Sequence, residues 1–91
     1  MAIVMQAQIP GMTRDQYEGM SGALHPKLKQ TPGFVAHAGG PIPGGWLITE
    51  FWESQEAFDA WLKGTIIPSS VAAGMPPPNL HLLQAHTVVT R

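Results

Sequence analysis

The sequence predicts an α+β domain: one antiparallel sheet with two helices on one face, in the order β-α-β-β-α-β. Two observations carry this. Apolar residues recur with a period of two in four places and a period near 3.6 in two others. Turn residues, chiefly Pro-Gly and Gly-rich clusters, separate these segments. A third observation concerns composition. Of 91 residues, 44% are hydrophobic and 12% are charged, against about 25% charged in ordinary soluble chains. A lone globule of this size has too little polar side chain to coat itself, so a second buried face is expected, most simply in a homodimer.

The first strand is AIVMQAQI, residues 2–9, with Ile3, Met5, Ala7 and Ile9 on one side. Pro10-Gly11 ends it. Thr13 is the N-cap of the first helix, with Gln16 completing a capping box and Asp15 at the positive end. Tyr17, Met20, Leu24 and Leu28 make its apolar stripe. Pro26 predicts a stop or kink near His25, which would make His25 a helix-end residue.

Thr31-Pro32-Gly33 is a turn. FVAHA, 34–38, is a short strand, with Phe34, Ala36 and Ala38 facing one way and Val35 and His37 the other. GGPIPGG reads as a loop. WLITEFWE, 46–53, is the third strand. Trp46, Ile48, Glu50 and Trp52 share one face; Leu47, Thr49, Phe51 and Glu53 share the opposite one. Both faces are largely apolar, so both are expected to be buried.

Ser54 caps the second helix, with Glu56 in its first turn. Ala57, Phe58, Trp61 and Leu62 form its apolar stripe, and Gly64 predicts its end. Residues 65–79 read as irregular, apart from a possible helical turn at Ser69–Ala73. LHLLQAHTVVTR, 80–91, is the last strand. All 91 residues form one domain. The arrangement is ferredoxin-like, its two-sided strands expected to meet a second copy face to face.

Several function classes are disfavoured. The net charge of −1 gives no field drawing the chain to nucleic acid or to an anionic membrane. There is no cysteine, hence no disulfide framework and no thiolate. No apolar run approaches a membrane span, and the N-terminus lacks a signal pattern. A cytoplasmic location is expected.

Pro32-Gly33-Phe34, then Phe51-Trp52-Glu53-Ser54, then Glu56-Ala57-Phe58-Asp59-Ala60-Trp61 resemble the antibiotic-biosynthesis-monooxygenase-like (ABM) family of the dimeric α+β barrel superfamily. The element order extends the resemblance over nearly the whole chain. It implies a homodimer joined through the sheet faces. It also implies a choice of activities: cofactor-free oxygenation, polyketide cyclisation, haem degradation, or none assigned. In the haem-degrading branch Trp52 would match the pocket tryptophan. That branch also uses an Asn on the first strand and a His after the second helix, and this sequence has neither at those places.

The candidate chemistry lies in few residues. Glu50 is a carboxylate on an aromatic face, so it is either paired with a cation such as Arg14 or Lys27, or a general acid or base. His37 and His86 are candidate bases, because an imidazole titrates near neutral pH; each is equally readable as a satisfied interface or core histidine. Trp52 is a core clamp or a flat wall for an aromatic substrate, with an indole N–H to hold an oxygen. Trp46 beside the glycine-rich loop is a half-exposed rim residue or a second wall, and Tyr17 a ring-positioning group. Trp61 is core. His81 and His86, five apart on a regular strand, would face opposite ways and not chelate together. No metal site is expected, and no cofactor.

The expected function is a small cofactor-independent enzyme of the monooxygenase type, acting on a hydrophobic aromatic or polyketide-like molecule by proton abstraction. Cyclisation or isomerisation on the same scaffold, and non-catalytic binding of a small ligand, stay open beside it.

Overall fold

The computed structural model describes residues 2–75 and 78–91. Strand β1 (Ile3–Pro10) leads to helix α1 (Arg14–Lys29), then to the hairpin of β2 (Phe34–Ile42) and β3 (Gly45–Trp52). Helix α2 (Gln55–Trp61) runs through a wide π-helical turn, Leu62–Ile66, into α3 (Ile67–Ala72), and β4 (Asn79–Gln84) closes the sheet. The strand order is β2-β3-β1-β4, antiparallel throughout. No described helix is long and apolar enough to cross a membrane.

The alternation in β1 sets which side is covered. Ile3, Met5, Ala7 and Ile9 are all buried, and they pair with Trp52, Glu50, Ile48 and Trp46 on β3. Directly opposed residues share a face, so Glu50 lies with Trp46 and Trp52, as the alternation predicts, and that face is the helix-covered one. Val4, Phe51 and Leu83 lie on the uncovered side; Phe51 and Leu83 are exposed there.

Both N-caps form as read. The Gln16 N–H donates to Thr13 Oγ1 and the Thr13 N–H to Gln16 Oε1. The Ala57 N–H donates to Ser54 Oγ.

Five expectations need correction. Helix α1 does not stop near His25 but runs through Pro26 to Lys29. Gly22, whose carbonyl loses its donor at Pro26, is exposed like Pro26 itself, and water can replace the bond. Leu28 beyond the proline is buried on the sheet, which holds the last turn down.

Strand β2 is nine residues long, and only Pro43-Gly44 turns. Gly44 takes φ 77°, the pattern of Pro then Gly in a type II turn. As an edge strand β2 tolerates Pro41, which has no N–H to give.

The register of β2 shifts between Phe34 and Ala36. This bulge returns His37 to the same face as Phe34, opposite Glu50, where simple alternation would put it on the other side.

The second helical segment does not end at Gly64. It widens into the π-helical turn just before Pro68, which lacks the N–H that an α-turn would use. It ends at Gly74, φ 67°. There the Met75 N–H reaches the Ser70 carbonyl and the Gly74 N–H reaches Val71, a Schellman stop. The irregular stretch is therefore helical to Ala72, while Pro76 and Pro77 lie outside the described residues.

The last strand ends at Gln84, paired with Ile3 where β1 begins; the Ala85 N–H still reaches the Ala2 carbonyl, and the pairing goes no further. Residues 86–91 are exposed and carry no strand pairing.

Candidate functional site

Glu50 is the only charged side chain among the buried described residues, 4% exposed. Its carboxylate needs partners, and it has two. Trp52 Nε1–H donates to Oε1 at 2.9 Å. His37 Nδ1 lies 2.7 Å from Oε2. The second contact exists only because the β2 bulge turns His37 inward. The pairing with Arg14 or Lys27 does not occur; Arg14 instead bonds Glu18 on the surface.

The chain of contacts continues outward. His37 Nε2 lies 2.8 Å from the Tyr17 hydroxyl. An ionised Glu50 only accepts, so Nδ1 carries the proton, Nε2 of the neutral ring accepts, and Tyr17 donates. The sequence Trp52–Glu50–His37–Tyr17 is then fully consistent. Tyr17 is held from behind by Trp46, stacked at 4.8 Å between ring centroids and 24° between planes. Gly39 makes room for it: a Cβ there would stand 2.5 Å from the Tyr17 hydroxyl oxygen.

Trp52 is fully buried, edge-on to Phe34 and Phe58. Its N–H is committed to Glu50, so it orients the carboxylate and clamps the core. Trp46 is buried, not a rim residue, and its N–H has no partner among the described residues. Trp61 is buried core as expected. His86 lies beyond β4, exposed and apart from the cluster. His81 sits on the exposed side of β4, paired with Gln6.

Two adjoining cavities of about 60 Å³ each lie between helices and sheet. Met12, Met20, Ile48, Trp61, Ile66 and Glu50 line both. The first is otherwise apolar except for Ser70. The second carries Tyr17, Ser21, His25 and His37 as well. Outside it, a cleft of about 310 Å³ opens between α1 and β2, with Phe34, Leu28 and Lys29 beside His25 and His37. Among the described residues no three His, Cys, Asp or Glu side chains are arranged to hold a metal ion.

Sequence reasoning missed His25. Because α1 continues, His25 is not a helix end. Its ring meets His37 edge-on, with centroids 4.7 Å apart. Burial, then the neighbouring His37, hold its pKa below the ordinary histidine value; Glu50 acts in the opposite sense and Lys29 lowers it further. The signal was present: Tyr17, Ser21 and His25 repeat every fourth residue.

The family model described as Antibiotic biosynthesis monooxygenase matches residues 2–67, most of the chain. The chain belongs to this family. The ABM fold also appears in solved structures. SnoaB, a cofactor-independent oxygenase from Streptomyces nogalater, superposes with TM-score 0.70 at 14% identity, covering 99% of this chain and 97% of its own. Rv0793 from Mycobacterium tuberculosis reaches 0.78 at 12% identity, covering 99% and 100%. The heme-degrading protein Rv3592 from the same organism reaches 0.69 at 20% identity, again covering 99% and 100%. At these identities the likeness is one of fold. No curated protein matches in sequence. The ABM assignment carries a monooxygenase-type scaffold with it.

Proposed function

We propose that this ABM protein is a cofactor-independent enzyme that removes a proton from a hydrophobic aromatic or polyketide-like molecule and lets the resulting carbanion reduce oxygen. The observation that carries this reading is the Tyr17–His37–Glu50 chain at the polar end of an apolar cavity. The Tyr17 proton passes to His37 Nε2 while the substrate C–H proton goes to the vacated tyrosine oxygen. Glu50 balances the imidazolium charge. The carbanion gives its electrons to O2, a carbon–oxygen bond forms, and the hydroperoxide loses water to leave a carbonyl. In sum, CH2 and O2 become C=O and H2O, with no other reductant. SnoaB, a cofactor-independent oxygenase of the same fold, supports the class of reaction. The heme-degrading relative does not extend to this chain, which lacks the Asn and His noted above.

The small volume of the two inner cavities favours a second reading: a barrel that binds a small ligand without turning it over. In the enzyme reading, methionine side chains move to admit the ring, as their flexible stems allow. A cyclase or isomerase would use the same carbanion and differ only in its fate.

The proposed unit is a homodimer of single-domain, 91-residue chains in the cytoplasm, joined through the uncovered sheet face. Phe51 and Leu83 are exposed there, 39% and 59%. A groove of about 330 Å³ runs beside Val35 and Phe51 to Thr87–Thr90. Light scattering at micromolar concentration should give a dimer. Thr49→Arg and Phe51→Arg should each weaken it, and a wild-type monomer would refute this assembly.

The deciding experiment is oxygen uptake with an anthrone and no added cofactor. Wild type should consume oxygen, and Tyr17→Phe and His37→Ala should each slow it by about 10²–10⁴-fold. Trp52→Phe, which removes the donor to Glu50, should also slow it. Binding of the anthrone without uptake would sink the oxygenase and favour the binding barrel.

A further inference from the structure

Three polar side chains project from one face of α1, one per turn: Tyr17, Ser21 and His25. All line the same cavity with His37 and Glu50. Tyr17 is tied to His37. The other two stand outside that hydrogen-bond chain. Ser21 Oγ is buried with no partner among the described residues. His25 touches His37 only through its ring edge. A buried hydroxyl with no partner is costly, and native proteins rarely leave one without a use.

We propose that Ser21 and His25 form an oxyanion site that binds the enolate or phenolate oxygen of the substrate, while its acidic C–H faces Tyr17. This rests on the proton-abstraction reading and names the substrate class: a carbon acid with a carbonyl or phenol oxygen conjugated to the reacting carbon. Taking a proton from such a molecule moves negative charge onto that oxygen. Donors fixed in advance at the oxygen stabilise the charge as it develops. The serine O–H rotates to donate. The histidine, kept neutral by burial and by His37, offers one N–H and does not protonate the oxygen outright. Four residues separate each member of the stripe from the next, about 6 Å along the helix axis. Base and donors therefore meet different atoms of one small molecule.

His25 also lines the outer cleft, between apolar Leu28 and Phe34 and the cation Lys29. An anionic aromatic ligand approaching from there meets the ammonium first and the imidazole next.

The test is a binding measurement that needs no turnover. The probes are 4-nitrophenolate, at a pH above its ionisation, and nitrobenzene as its neutral analogue, titrated by calorimetry against the full-length protein. Wild type should prefer the phenolate by about 10-fold or more, the effect of a hydrogen bond to a charged acceptor. Ser21→Ala and His25→Phe should each cut that preference several-fold and leave nitrobenzene binding unchanged. Tyr17→Phe should slow oxygen uptake as stated above yet keep the preference. Equal affinity for the two probes, no binding of either, or an unchanged preference in both variants would overturn the site. Absent uptake with an intact preference would instead refute the oxygenase and leave the oxyanion site standing.

Discussion

The two ends of the covered sheet face are built differently. At one end Trp52 is fully buried and lies within 5.6–6.4 Å, centroid to centroid, of Phe34, Phe58 and Trp61. Its single polar atom is bonded. At the other end Trp46, Ile9 and Met12 form a smaller cluster, with Met20 and Met75 packed against it. There the Trp46 N–H has no partner. Aromatic rings with few rotamers fix one end, and flexible thioethers fill the other. Glu50 stands at the junction. The rigid end aims its carboxylate, and the soft end borders the cavity that the carboxylate lines together with His37 and Tyr17.

The strongest way to break this comparison is to hollow out the rigid end. Trp52→Ala should cost about 3–5 kcal/mol, the usual range for a large aromatic lost from a core, and it also strips Glu50 of a donor. At the soft end Met20→Leu should cost under about 1.5 kcal/mol, since flexible packing tolerates a swap of similar volume. Urea unfolding measures both. Equal costs would show that the two ends do not differ in the way their side chains suggest.

A smaller effect is expected where the two ends meet. Gly39→Ala places a methyl in the volume of the Tyr17 hydroxyl, so the tyrosine must turn away from His37. Stability should fall by about 1 kcal/mol, the net value of one hydrogen bond. Oxygen uptake should fall towards that of Tyr17→Phe, and combining the two changes should add little. Full additivity would mean that Gly39 acts on something other than Tyr17.

How far the sequence could be read follows the same division. Alternation was legible in β1 and β3 and grouped Ile3, Met5 and Ala7 on one side and Trp46, Ile48, Glu50 and Trp52 on another. Which side the helices cover was read from Trp52 matching the family's pocket tryptophan, not from alternation. The caps at Thr13 and Ser54 were legible because capping is local. Glu50 stood out for the same reason, as a carboxylate between Ile48 and Trp52. What could not be read depended on distant contacts. Period-two counting fails at a bulge, so His37 was set on the face opposite Phe34 when the two share one. Pro26 ends an isolated helix, but Leu28, buried on the sheet, holds this one together past it. Gly64 resembles a stop, whereas Gly74 takes the positive φ. The end of β4 was set by the length of β1, which no reading of residues 80–91 alone contains. His25 was misjudged as a consequence of the proline, and the polar stripe it completes went unread.

The smallest effect sharpens the view of that stripe. His25 is partly exposed, so solvent screens its interactions, but the direction is defined. Facing it are His37 from β2, Glu50 from β3 and Lys29 from its own helix; burial, then His37 and Lys29, outweigh the carboxylate and lower its pKa. The unfolded histidine titrates near about 6.5. Between that value and the lower folded one, the unfolded chain binds more protons than the folded chain. Stability therefore rises with pH through this window and is lost as pH falls through it, levelling off once both forms are charged. His25→Gln should remove this part of the acid sensitivity. Urea midpoints for wild type and variant at about pH 7.5 and about pH 5.5, on either side of the ordinary value, give the comparison. The wild type should lose more stability between the two than His25→Gln does. If the variant lost as much, His25 would titrate alike folded and unfolded, and the neutral donor it contributes to the oxyanion site would lose its physical basis.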